Sequence, residues 1–274
     1  MVRVLSYIAA LAIVFIIFVP EIASAATYQP AQTTNLSETL TAQTYTAMQA
    51  HQTSITIEYT GDVDSLKNDI SNAINKAYNT DDYLHLLIKG WELKAYGIPG
   101  DITVAIHITY RETQEQLLLV EQKTSEILSQ IINDDMNDYQ KEKAIHDYIV
   151  SNVSYDQTLQ HFTDYDALTS GTAVCQGYTM LAYKMLTKAG IQARIVSGLG
   201  KSEEHTWNMV NLEGSWYHLD CTWDDPVPDA QGRITYSYYN LSDSQIKADH
   251  SWQGLYPEAN TDFGQFIKLI LSGL

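Results

Sequence analysis

The chain is poor in basic residues, in cysteines and in long apolar runs. Lys and Arg total 16 against 33 Asp and Glu, a formal net charge of -17. A surface this acidic repels phosphate backbones and anionic headgroups, which argues against binding to nucleic acid or a membrane surface. With two cysteines, Cys175 and Cys221, at most one disulfide is available. No C-x-x-C or H-x-x-x-H spacing marks a zinc site, although Cys175, Cys221, His205 and His218 are of ligand type. After the first 20 positions no run is apolar and long enough to span a bilayer, and no internal repeat is present. What is present suffices for a packed core. The 274 residues are 45% hydrophobic, enough for one large domain or two smaller ones.

The N-terminus has the form of an export signal. Arg3 supplies the positive charge, Val4 to Val19 is apolar apart from Ser6, and Pro20 breaks the run. Ala23-Ser24-Ala25 has the small-x-small form of a cleavage site, so residues 1–25 are expected to be removed after Ala25. The alternative is an uncleaved signal anchor that tethers the chain, against which the run falls short of the about 20 residues a span needs. Export exposes cysteines to oxidation, so a Cys175–Cys221 disulfide competes with any chemical role for either.

Residues 26–45, rich in Thr, Ala, Gln and Ser, read as a linker. A small α+β domain is expected over 46–112. Its strands are Ser54 to Tyr59, Tyr83 to Ile88, Trp91 to Tyr96 and the alternating Ile102, Val104, Ile106, Ile108, Tyr110. A helix with apolar face Leu66, Ile70, Ala73, Ile74 and Ala77 is expected after a cap at Asp62 or Asp64. His85 and His107 are isolated and read as structural. Residues 113–274 form the larger unit. It opens with helices over Thr113 to Ile132, with Thr113 and Gln116 as a capping box, and from Asn137 or Asp138 to Asn152.

From Cys175 the apolar residues Tyr178, Leu181, Ala182, Met185, Leu186 and Ala189 follow helical spacing, and Gly190 ends the run. Cys175 thus stands at a helix N-terminus, where unpaired N–H groups and about half a positive charge favour thiolate over thiol. The same N–H groups suit an oxyanion. Gly171 and Gly177 are read as leaving room for a substrate backbone. The competing reading is a small buried hydrophobe.

His205 to Leu212 and Trp216 to Trp223 flank the turn signal Glu213-Gly214. A two-residue loop pairs Leu212 with Ser215, hence Trp207 with Asp220 and His205 with Thr222. His205 and Asp220 then lie diagonally on one face, with Cα atoms about 7–8 Å apart. A three-residue loop would place them on opposite faces. Cys221 points to the other face from Asp220, which favours two free thiols over a disulfide. His218 shares the His205 face and reads as structural or supporting, and Asp224-Asp225-Pro226 reads as a turn. A cysteine, a histidine and a carboxylate supply a nucleophile, its base and the group that orients the base.

Ala173-Val174-Cys175-Gln176-Gly177-Tyr178, His205-Thr206-Trp207-Asn208-Met209-Val210 and Trp216-Tyr217-His218-Leu219-Asp220-Cys221-Thr222-Trp223-Asp224-Asp225-Pro226 resemble the bacterial secreted branch of the transglutaminase-like, papain-type thiol superfamily. Glu142 to Tyr148, Val153 to Asp156, Tyr239 to Asp243 and His250-Ser251-Trp252 extend the resemblance over about residues 136–257. It implies an α+β papain-like or transglutaminase-like core, with the nucleophile helix packed on an antiparallel sheet. It implies Cys175 as nucleophile, His205 as general base and then acid, and Asp220 as the orienting carboxylate. The expected function is secreted acyl transfer on protein or peptide amides through a thioester: a protease, a deamidase or a crosslinking enzyme. No calcium cluster is evident, and no cofactor or metal is expected. The expected partner is a protein or peptide substrate, with the cell wall as one source. The alternative is a non-catalytic protein that binds cell-wall or surface polymers on the same fold. An amine acetyltransferase lacks an evident acetyl-carrier site.

Overall fold

Ile102, Val104, Ile106 and Ile108 alternate inward along the central strand of a three-stranded antiparallel sheet. The computed structural model describes residues 33–225, 227 and 233–264. The expected signal segment therefore lies outside the described residues, as does the end of the chain after Gly264. The chain divides into two compact units at Arg111/Glu112.

The first unit contains α1 (Thr33–Gln49), β1 (Ser54–Tyr59), α2 (Leu66–Tyr78), α3 (Asp82–Leu87), β2 (Ile88–Ile98) and β3 (Asp101–Tyr110), with strand order β1-β3-β2. Two expectations are corrected here. From Thr33 the stretch read as a linker is helix, and it buries Leu40, Thr44, Ala47 and Met48. Threonines dilute that face and hide its period. Tyr83 to Leu87, read as a strand, is helix α3. The Asp81 carboxylate accepts from the Tyr83 and Leu84 N–H groups and starts the helix. The α2 helix has the expected buried face but begins after Ser65 rather than at Asp62 or Asp64.

The second unit contains α4 (Gln114–Ile131), α5 (Asp138–Asn152), β4 (Ser154–Tyr155), α6 (Asp164–Ser170), β5 (Thr172–Ala173), α7 (Cys175–Lys188), β6 (Gln192–Gly200), β7 (Glu203–Leu212), β8 (Ser215–Leu219), α8 (Cys221–Asp224), α9 (Asp243–Ile246) and β9 (His250–Trp252). A short parallel pair, β4 and β5, precedes α7. The main sheet is antiparallel, in the order β8-β7-β6-β9. The architecture is α+β, as the sequence predicts. Capping boxes at Thr113/Gln116 and Asn137/Gln140 start α4 and α5.

The α7 helix is the centre of this unit. Tyr178, Leu181, Ala182, Met185 and Leu186 are all fully buried, packed with Ile145 and Ile149 of α5 and with Val210, Leu212, Tyr217 and Leu219 of the sheet. Each buried Leu, Ile, Val or Met side chain among them stabilises the fold by about 1.5–3 kcal/mol. The helix therefore cannot slide along the sheet without opening this core. Gly190, at φ 87°, ends it: the Gly190 N–H donates to Thr187 and the Ile191 N–H to Leu186.

Candidate active site

Val174 is extended (φ -82°, ψ 175°) and Cys175 is the first helical residue, so the half-buried thiol stands at the N-terminus of α7 as expected. One turn on, the Thr179 hydroxyl donates to the Thr206 carbonyl at 2.9 Å. The Thr206 hydroxyl in turn donates to Thr179 Oγ1 at 3.3 Å, and the Asn208 amide to the Thr179 carbonyl at 3.2 Å. Residues 175 and 179 share a helix face. These bonds therefore fix α7 to β7 at the register that brings Cys175 to His205. Sequence reading missed this clamp; the alternation of Thr206 and Asn208 around buried Trp207 was its only signal.

Leu212 pairs with Ser215, and Glu213 and Gly214 both have positive φ, which suits a two-residue hairpin turn. The predicted register holds down to Asn208 opposite Leu219. There the strand stops, so the expected His205–Thr222 pairing does not form. The Asp220 carboxylate turns the chain instead: its Oδ1 accepts from the Thr222 and Trp223 N–H groups at 3.0 and 3.2 Å and caps α8. Its Oδ2 is free to face β7 and lies 2.7 Å from His205 Nε2. The His205 ring and the Cys175 side chain lie close enough to shift one another's titration. With Nε2 on Asp220, Nδ1 is left for the sulfur.

This arrangement favours a charged pair. Burial alone would lower the His205 value. The Asp220 carboxylate and the Cys175 sulfur outweigh it and push His205 up to about 10. Burial pushes the Cys175 thiol up, but the His205 hydrogen bond and charge, with donors from Thr206, hold it below the ordinary thiol range. Asp220 is fully buried, yet its His205 and His250 partners bring it down to about 2. Thiolate, imidazolium and carboxylate thus stabilise one another in a site walled by Trp207 and Trp223.

Other candidates fall elsewhere. Both cysteines are free thiols. Cys221 packs in the apolar core beneath α7, where burial and the Asp224 and Asp220 charges push its thiol well up. His218 accepts from Trp207 Nε1 at 2.9 Å on Nδ1 and faces Asp243 Oδ1 at 2.9 Å on Nε2, so it serves the core. Gly177 does not leave space for substrate. A Cβ there would sit 2.6 Å from the Ala173 side chain and 2.8 Å from the Thr163 carbonyl. Gly171, at φ 66°, ends α6.

Asp224 and Asp225 are more than a turn. Asp224 is fully buried. It faces His146 of α5 at 3.2 Å and accepts from Thr235 and the Tyr238 N–H. Asp225 accepts from Tyr178 at 2.6 Å. Together with Glu142, which accepts from Tyr239 and Asn240, these groups bind the segment around Tyr238 to α5 and α7. Tyr238 O accepts from the Asp220 N–H, so the network supports Asp220 from behind.

Sequence reading also missed the contact of His250 with Asp220, at 3.2 Å from Oδ2. His205, Asp220 and His250 offer ligand-type atoms within 4.8 Å of one another. Their separations at one carboxylate oxygen are those of hydrogen bonds, and we assign no metal to them.

Residues 125–221 match the Transglutaminase-like superfamily, a span that contains Cys175, His205 and Asp220. Kyphoscoliosis peptidase of Mus musculus is 28% identical over 133 residues, 42% of this chain and 20% of the mouse protein. The Homo sapiens protein of the same name is 28% identical over 132 residues, 41% of this chain and 20% of its own length. The match thus spans about a fifth of the length of these curated relatives. A solved structure described as a TGase is 15% identical, with a TM-score of 0.40, covering 68% of this chain and 55% of its own. Residues 125–221 are thus similar to a transglutaminase-like superfamily domain.

Proposed function

We propose that the protein is a cysteine-dependent acyl-transfer enzyme acting on protein or peptide amides. The observation that carries this reading is the position of His205, 2.7 Å from buried Asp220 on one side and beside Cys175, whose thiol it holds below the ordinary range, on the other. The Cys175 thiolate attacks an amide carbon: the S–C bond forms and the carbonyl electron pair moves onto oxygen. Backbone N–H groups in the first turn of α7 stabilise that oxyanion. The intermediate collapses, the C–N bond breaks, and His205 gives its proton to the departing amine. Neutral His205 then takes a proton from water or a second amine, which attacks the thioester. The C–S bond breaks and the thiolate returns.

Water as acceptor makes the protein a peptidase or deamidase; an amine makes it a transglutaminase. The names of the mouse and human relatives agree with the first. Incubation with a glutamine-containing protein and a labelled amine separates these outcomes. Label incorporation or hydrolysis that disappears in Cys175→Ala is expected. Neither activity, with the chain bound to surface polymers, would favour the non-catalytic reading. The same proposal includes export with cleavage after Ala25. A secreted product that begins at Met1 would contradict that part.

A further inference from the structure

Asp220 Oδ2 serves two imidazoles. His205 Nε2 lies 2.7 Å from it and His250 Nε2 3.2 Å. The His250 side chain is fully buried, and its other nitrogen, Nδ1, lies 2.7 Å from Asp249 Oδ1. Asp249 Oδ2 accepts from Tyr238 at 2.6 Å. The ring thus bridges two carboxylates, one at each nitrogen. The groups that face it are Asp220 from the start of α8, His205 from β7, His218 from β8, and Asp249 and Tyr238 from the flanking loops. Lys201 acts on Asp249 from the β6–β7 turn. The rings of Trp207 and Trp223, at centroid distances of 4.9 and 4.3 Å, hold His250 in place.

We infer that His250 is a positioning residue for the acyl-transfer site, the middle of a chain Tyr238–Asp249–His250–Asp220–His205 that aims the Asp220 carboxylate. This rests on the reading of Cys175 and His205 given above. One consequence follows. With Oδ1 tied to the Thr222 and Trp223 N–H groups and Oδ2 shared, the carboxylate has no rotation left that keeps its partners. His250 is 45 residues from His205 in the chain, and nothing in local spacing connects them.

Alkylation of Cys175 by iodoacetamide as a function of pH tests this, with labelling followed by mass spectrometry. Two quantities are read: the pH of the acid limb and the plateau rate. In His250→Leu both change: the limb moves up by about one pH unit and the plateau falls about tenfold. His250→Gln keeps an N–H donor for Asp220, so both the limb and the plateau are largely restored. Asp249→Asn, at a partly exposed side chain, leaves the packing around His250 in place; it moves the limb in the same direction by less. A merely structural histidine would lower thermal stability and leave the limb where it is. A low acid limb in wild type with superimposed limbs in all three variants overturns the inference alone. A wild-type Cys175 that labels like a free thiol overturns the underlying reading and the inference with it.

Discussion

His205 Nε2 meets Asp220 Oδ2 at 2.7 Å across a gap where the hairpin has already ended, because β8 stops at Leu219. The side chain that ends the strand is the one that reaches the histidine. One oxygen of Asp220 caps α8 and the other orients His205. Asp220→Asn keeps Oδ1 as a cap acceptor but gives the imidazole a donor or a neutral oxygen. We expect a fold of near-native stability and a loss of at least about 100-fold in acyl transfer, with the Cys175 thiol shifted to higher values. Rates on a labelled-amine substrate, with a thermal melt alongside, check this. Activity within a few-fold of wild type would contradict it.

The α7–β7 clamp separates position from chemistry. Thr179→Val preserves shape and removes the bond to the Thr206 carbonyl. The expected cost is on the order of 1 kcal/mol in stability. The fall in Cys175 reactivity should be larger than that loss explains, because the thiol and the imidazole lose their common register. A melt and an alkylation rate measured on one preparation decide it. Loss of stability with unchanged reactivity would show that the clamp does not set the site.

Gly200 packs against the Trp223 and His205 rings. A Cβ there would lie 2.7 Å from the Trp223 ring and 3.3 Å from His205 Cδ2. Gly200→Ala should displace Trp223 and tilt His205, slowing Cys175 alkylation about tenfold while costing about 1–3 kcal/mol. An unchanged alkylation rate would mean the aromatic wall yields without moving the imidazole.

Stability should peak in mildly acidic solution. Burial and the neighbouring Asp164 carboxyl push Glu112 up to about 8, and burial pushes Glu142 up to about 7. Both hold a proton more tightly in the folded chain than in the unfolded one, where carboxyls titrate near about 4.3. Their contribution is therefore present below that value and lost as pH rises through 7 and 8. His205, pushed up to about 10, adds loss of the same sign from about pH 6.5 upward. Asp147 and Asp220, held at about 2, contribute above about 3.9 and are lost in strong acid. Melting temperatures from pH 4 to 9 should fall on the alkaline side. Glu112→Gln and Glu142→Gln should each flatten that fall by on the order of 2 kcal/mol. Parallel slopes in wild type and variants would contradict the assignment.

Much of this site is legible in the sequence because local rules govern it. Helical spacing places Cys175 at a helix start, and the Glu213-Gly214 turn fixes the register that brings His205 and Asp220 to one side. The reading fails where one side chain redirects the backbone. Asp220 reads as a strand residue until its capping of Thr222 and Trp223 is seen, and Asp81 likewise turns an apolar run into α3. Long-range polar pairing is hidden as well. The contacts of His250 with Asp220, Asp224 with His146 and Glu142 with Tyr239 join segments by packing, and no periodicity announces them.

The central claim is that His205 activates Cys175. The most direct test is the pH dependence of Cys175 alkylation in wild type and His205→Ala. The account predicts rapid labelling well below pH 8 in wild type, abolished when the imidazole is removed. Labelling no faster than that of a free thiol in wild type, or unaffected by His205→Ala, would contradict it.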